Sequence, residues 1–237
     1  MSKIYFFRHA QASFGADNYD VLSTKGEEQS AILGQYLAKK AFRFDTIYVG
    51  PLQRQQHTYE IVKAAFKQHG LSIPDPIQLD GLKEHNATKA MKSMMPKLME
   101  SDPIVQKIWV EAGDDPSKKR SATMRCFQYF LDEWVEGNFI VEGVLPWKDF
   151  RRDVKQGLDT ILHNTKAGET VAVFTSGGTI SAITAESLQI TNQKRVAALN
   201  YAIRNTSFTS FLYSKGMFNM LAFNELPHLP KEMVTFV

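Results

Sequence analysis

The sequence predicts an α/β fold: a doubly wound, mostly parallel sheet flanked by helices, with a helical cap inserted at about residues 87–165. Three observations predict it. Short runs of β-branched and aromatic residues alternate with stretches of helical periodicity, as in β-α units sharing one sheet. The run Val171-Ala172-Val173-Phe174 is apolar without a break, the pattern of a strand buried on both faces. Residues 87–165 interrupt the alternation with Met-rich helical patterns.

The elements follow in order. Residues 3–7 read as a buried first strand with Arg8-His9 at its carboxyl end, and residues 11–22 as a polar loop. Ser23 or Thr24 then caps a helix over about residues 26–40, with Ile32, Leu33, Tyr36 and Leu37 on one face. A second strand at residues 45–49 is punctuated by Gly50-Pro51, and a helix follows over about 52–69. A short third strand, 77–79, leads to Leu82-Lys83-Glu84. In the cap, Pro96, Pro103, residues 113–117 and residues 143–146 read as breaks, and Met91, Met94, Met95 and Met99 as packing residues. After the strand at 171–174, Gly177-Gly178 opens a helix to about Leu188, and a short helix covers about 193–200. Strands at 206–213 and 218–223 close the chain as a hairpin about Ser214-Lys215-Gly216.

Composition narrows the function. The 237 residues, 43% hydrophobic, suffice for a core without disulfides or metals, and are read as a single domain over 1–237. A net charge of +3, from 28 basic and 25 acidic residues, argues for neither nucleic acid nor membrane partners. The run Lys118-Lys119-Arg120 reads as a solvated loop. One cysteine, Cys126, allows no internal disulfide and no thiolate metal cluster, and its partly apolar helical setting reads as a packed thiol. The first residues carry too short an apolar stretch for a signal peptide, which makes the cytoplasm the expected location. Nothing in the sequence indicates an oligomeric state.

In doubly wound sheets ligands bind beyond the carboxyl ends of the strands. Arg8-His9, residues 51–54, Glu84 and Thr175-Ser176 each follow an expected strand and so converge on one rim. These residue types suit phosphoryl transfer. A neutral imidazole held in one tautomer attacks phosphorus. Guanidinium groups bind phosphoryl oxygens in pairs and stay charged, and a carboxyl group protonates the departing alkoxide. Hydroxyls and backbone N–H groups at a helix start, here Thr175 to Gly178, add donors for an anion.

Arg8-His9-Ala10-Gln11 resembles the Arg-His-Gly signature of the histidine phosphatase (phosphoglycerate mutase-like) superfamily. Ala12-Ser13-Phe14-Gly15 and Leu22-Ser23 with Gly26 and Gln29 resemble the family's first loop and helix. Gly50-Pro51-Leu52-Gln53-Arg54 with Thr58 is similar to its second arginine motif, usually Ser-Pro-Leu-x-Arg. Leu82-Lys83-Glu84 is similar to the segment that supplies its acid, and Phe223-Asn224 with His228-Leu229 to its closing segment. The resemblance implies metal-independent hydrolysis of a phosphate monoester, on a small metabolite or a phosphoprotein, with no cofactor. His9 is then the nucleophile, Glu84 the proton donor, and Arg8, Arg54, Ser176 and Gly177 the phosphate-binding residues.

Positions 10 and 176 depart from the family pattern. Ala10 replaces its usual glycine, and Ser176 stands where a second histidine is expected. A serine brings one donor without charge, an expected loss of roughly 10²–10³ in rate. Thr175, backbone N–H groups, His57 or His85 are candidates to offset it, and Ser176→His is expected to raise turnover. The alternative function is a phospho-ligand binding or regulatory protein with the same pocket and little turnover.

Overall fold

The computed structural model describes residues 1–13 and 20–236. In chain order its elements are β1 (Ser2–Arg8), α1 (Thr24–Lys39), β2 (Thr46–Val49), α2 (Gln53–Gln68), β3 (Ile77–Gln78), a 3₁₀ turn (Asp80–Leu82), α3 (Ala87–Ser101), α4 (Pro103–Ala112), α5 (Pro116–Val135), α6 (Trp147–Asn164), β4 (Thr170–Thr175), α7 (Gly177–Leu188), α8 (Gln193–Leu199), β5 (Phe208–Ser214) and β6 (Met217–Glu225). Among the described residues the strands make one sheet, ordered β3-β2-β4-β1-β5-β6. The first four in that order are parallel, and β5 and β6 are antiparallel. The expected hairpin is present, and Lys215 and Gly216 turn it with φ values of 49° and 81°.

Alternation along the strands sorts the core into two layers. Ile4 and Phe6 of β1 join Val171 and Val173 of β4 on the face covered by α6 and α7. Phe7, Ala172 and Phe174 join the opposite layer with Leu33 and Leu37 of α1 and Val62 and Phe66 of α2. The first layer continues into the helices of the expected insertion through Leu98, Val105, Phe130, Trp134 and Trp147, so one buried cluster ties sheet and helices together. Cys126 lies in that cluster, fully buried, and burial raises its thiol pKa.

Two details correct the sequence reading, and a third is described only in part. Pro96 does not break a helix; it lies inside α3. The missing N–H weakens one turn, but Met91, Met94, Met95 and Leu98 anchor this helix in the core, and that packing prevails. Lys118-Lys119-Arg120 is not a loop but the exposed first part of α5, started by Pro116 and capped by Asp115, whose carboxylate accepts from Ser117 N. The loop at 11–22 is described only at its ends, where Ala12 and Leu22 form an isolated bridge; Phe14 and Gly15 lie outside the described residues. Among the described residues no helix is long and apolar enough to cross a membrane.

Gly34 marks the closest approach of α1 to α2. A Cβ there would lie 2.7 Å from Ala65 Cβ and 2.9 Å from Val62 Cα. Alanine gains up to about 1 kcal/mol in helix propensity. Overpacking costs about 1–3 kcal/mol, so Gly34→Ala is expected to destabilise the fold by roughly 1 kcal/mol. A urea midpoint that falls at constant m-value checks this; a raised midpoint would mean that the two helices part freely.

Candidate active site

Three adjacent strands deliver the expected residues. β1 lies beside β4 in a register pairing Arg8 with Thr175, and β2 lies on the far side of β4. His9 therefore leaves the sheet next to Ser176, and its N–H donates to Thr175 O at 2.8 Å. Arg54 enters from the first turn of α2, and Glu84 follows the 3₁₀ turn beyond β3.

The His9 ring is buried, and its tautomer is determined by its neighbours. Nδ1 faces Ala10 O at 2.7 Å; a carbonyl accepts only, so Nδ1 carries the proton. Nε2 faces Arg54 Nε at 3.1 Å, and since the guanidinium donates only, Nε2 presents a lone pair. Burial, then the charges of Arg54 and Arg8, hold the ring's pKa well below the usual histidine value, against a smaller upward pull from the Ala10 bond. The backbone is equally fixed: His9 O accepts from Asn205 Nδ2 at 3.2 Å, and Ala10 N donates to Thr58 Oγ1 at 3.1 Å. Alanine is accommodated at position 10 because its φ is not positive.

Both arginines are buried. Arg8 Nη1 donates to Ile203 O and, at 2.7 Å, to Phe236 O. Arg54 Nη1 donates to Asp20 Oδ1 at 2.8 Å, and the same carboxylate accepts Gln53 N at 2.8 Å and Arg54 N at 3.5 Å. Asp20 thus caps α2 from 33 residues away in the chain, at a helix start that favours anions.

Glu84 sits at the start of α7. Oε2 accepts Gly178 N at 3.0 Å, and Oε1 accepts His85 N at 2.9 Å. A Cβ on Gly178 would lie 2.2 Å from Glu84 Oε1 and 2.4 Å from His85 Cδ2, so only glycine lets this carboxyl close on the helix. The His85 ring contacts Trp134, Trp147 and Phe150, and its Nε2 is 3.5 Å from Glu84 Oε1. Of the two histidines considered as substitutes, His85 is thus tied to the site, and no contact among the described residues ties His57 to it.

Ser176 and Gly177 lie at the carboxyl end of β4, both buried. Gly177 borders Arg8, whose Nε is 3.5 Å from where a Cβ would stand. Ser176 Oγ accepts from Gln55 Nε2 at 2.8 Å. Thr175 is not an anion donor in this arrangement, because its hydroxyl donates to Leu82 O at 2.7 Å. Sequence patterns singled out neither Asp20 nor Gln55. Both act across long chain separations and leave no local spacing signal. Among the described residues no group of three or more His, Cys, Asp and Glu side chains could hold a metal ion.

The chain matches the sequence pattern of the Histidine phosphatase superfamily (branch 1) over residues 4–136 and 119–226. It belongs to that superfamily. An uncharacterized protein of Picosynechococcus sp. is 36% identical over 67 residues, which are 27% of this chain and 41% of that relative, so the match spans less than half of the relative's length. YhfR of Bacillus stearothermophilus superposes with a TM-score of 0.68 at 19% identity, covering 96% of this chain and 99% of that one. A phosphoserine phosphatase of Entamoeba histolytica, solved with 3-phosphoglyceric acid, superposes with a TM-score of 0.62 at 17% identity, covering 97% of this chain and 100% of its own. At these identities the structural likeness concerns the fold. The superfamily assignment read from Arg8-His9 and Gly50 to Arg54 is borne out, as is the α/β architecture.

One histidine outside the pocket sets a pH dependence. His228 shares a 3.0 Å contact with Thr206 Oγ1, and burial lowers its pKa to about 4. Above its unfolded value of about 6.5 neither state is protonated there. Below that value the unfolded chain takes up a proton that the folded chain refuses until about pH 4, so stability falls across this window. The shift bounds the loss at about 3 kcal/mol, and His9 acts in the same direction. His228→Gln is expected to lose about 1–3 kcal/mol less than wild type between pH 7 and pH 4.5, read from urea midpoints. Parallel curves would show that His228 titrates normally.

Proposed function

We propose that this chain is a phosphatase acting on a phosphate monoester through a phosphohistidine on His9. The carrying observation is the ring itself: neutral, fixed by Nδ1–H on Ala10 O, with its Nε2 lone pair beside Arg54 Nε. The Arg54 contact guards the lone pair in the free protein. A phosphoryl group that enters takes over the Arg54 N–H, which frees Nε2 for attack. An N–P bond forms at Nε2 while the P–O ester bond breaks, and the electron pair leaves on the alkoxide oxygen, which Glu84 protonates. Water then attacks phosphorus and gives its proton to the Glu84 carboxylate. The N–P electron pair returns to Nε2, and inorganic phosphate departs. Arg8, Arg54, the Ser176 hydroxyl and the Gly177 N–H stabilise the charge on the phosphoryl oxygens. No metal or cofactor enters these steps.

The substrate is a phosphorylated small molecule or a phosphoprotein, and α3–α6 act as a cap that selects it. Trp134, Trp147 and Phe150 reach the site from α5 and α6 and wall His85 beside Glu84. A second reading, a phospho-ligand binder with little turnover, is favoured by one observation: an uncharged serine in place of the expected second histidine.

His9→Ala is expected to cut hydrolysis of a phosphate monoester by at least roughly 10³-fold and to abolish the acid-labile phosphoenzyme trapped on quenching wild type, with EDTA without effect. Wild-type turnover in that variant would remove His9 from the mechanism. Tight phosphate binding by wild type with no phosphoenzyme would favour the binder. The rate kcat/KM should hold at pH 6.5 and decline only below it, since the reactive lone pair is lost only as pH falls through the lowered His9 pKa. Glu84→Gln should slow an alkyl phosphate about 10²–10⁴-fold, and an aryl phosphate with a good leaving group far less. Equal losses on both substrates would show that Glu84 is not the acid.

A further inference from the structure

We infer that Gln55 is a positioning residue that orients the Ser176 hydroxyl toward the phosphoryl group, so that the pair forms one neutral donor in the place of the second histidine. This rests on the phosphatase reading above. Hydrogen-bond polarity carries it. Gln55 is fully buried, and its Oε1 accepts the N–H of Leu52 at 3.1 Å; a backbone N–H only donates, so that atom is oxygen. The other end of the amide lies 3.0 Å from Leu82 O, a carbonyl that only accepts, so that atom is nitrogen. The amide orientation is thereby fixed at both ends. Its remaining hydrogen points at Ser176 Oγ, 2.8 Å away. Ser176 must therefore accept from Gln55 and keep its own proton for another partner.

No acceptor among the described residues takes that proton. Ser176 is fully buried and occupies the N-cap position of α7, yet its side chain accepts none of the helix's N–H groups. Its chain neighbours tie it to the candidate site: Thr175 O holds the His9 N–H, and Gly177 borders Arg8. A phosphoryl oxygen on His9 Nε2 supplies the missing acceptor.

The same amide links two departures from the family pattern. Gly50 replaces the usual serine of the arginine motif, and a Cβ there would lie 2.1 Å from Gln55 Oε1 and 2.7 Å from Leu82 O. The Gln55 carboxamide also lies directly against Ser176 Oγ, in the space that a longer side chain at 176 needs. Gly50, Gln55 and Ser176 are thus one structural change. The missing side chain at 50 admits the amide, and the amide fills the room beside a short residue at 176. Unlike an imidazole, this pair cannot take up a proton when a dianion binds.

The test is a double-mutant cycle. Ser176→Ala and Gln55→Leu are each expected to lower kcat/KM roughly 10²-fold, and the double variant to lose no more than the worse single. Losses that multiply would overturn the inference. The Gln55 contact reverses the expectation from sequence for Ser176→His: alone it should gain nothing and should lower the urea midpoint, because Gln55 still fills the space. Combined with Gln55→Ala and Gly50→Ser, it should recover the midpoint and raise turnover above that of Ser176→His alone. An equal gain from Ser176→His alone would overturn the linkage. If wild type forms no phosphoenzyme, the phosphatase reading falls by that result. The cycle is then read from inorganic phosphate affinity: coupled losses sustain the pairing, and independent losses sink it.

Discussion

One hydrogen bond, from His9 Nδ1–H to the carbonyl of the next residue, is what the remaining geometry serves. An imidazole with both nitrogens protonated has no lone pair, and in free solution nothing holds the neutral ring in one tautomer. Here a carbonyl 2.7 Å from Nδ1 makes the choice, provided the chain beyond β1 turns so that Ala10 O faces back toward the ring. That turn is held from several directions. β4 accepts the His9 N–H, Asn205 donates to His9 O, and Thr58 of α2 accepts the Ala10 N–H. The chemistry of one ring is thus set by the assembly of the whole sheet, and a strand slip by one residue would reverse every facing side chain.

The electrostatics follow from the same arrangement. Two buried guanidinium groups resist protonation of His9, and on the proposed mechanism the same pair of charges attracts a phosphate dianion. Buried cations are costly without counter-charge or acceptors. Asp20 supplies a carboxylate to Arg54, and the carbonyls of Ile203 and Phe236 supply acceptors to Arg8. On the proposed mechanism an incoming phosphate therefore meets groups already engaged, and its own charge must compete with the carboxylate of Asp20 at the start of α2.

The parts of this site that were legible in the sequence are those written in local patterns. Arg8-His9 ends an apolar strand, Pro51 to Arg54 opens a helix after a strand, and Gly177-Gly178 opens α7 at the expected residue. Periodicity and punctuation reach that far. Asp20 and Gln55 were not legible, because their partners lie up to 121 residues distant and their residue types are common on helices and loops. Pro96 misled for a related reason: its local cost is real, but packing of the surrounding Met and Leu side chains outweighs it, and packing has no one-residue signature. Thr175 looked like an anion donor until the partner of its hydroxyl, Leu82 O, was in view.

Replacing an imidazole by a serine at position 176 looks at first like the loss of a charge. The environment argues for a subtler difference. A ring at 176 would share the burial and the neighbouring Arg8 charge that keep His9 neutral, so in the free site it too would be an uncharged donor. The contrast arises only once a dianion is bound: an imidazole beside that charge can take up a proton, while a hydroxyl cannot. On the proposed mechanism the exchange therefore acts on the bound and transition states rather than on the empty pocket. With less positive charge available as negative charge builds on the phosphoryl oxygens, departure of the alkoxide leans more heavily on proton transfer from Glu84. The residues that hold Glu84 in place, Gly178 beneath it and His85 against its aromatic wall, then govern how fast the ester bond breaks.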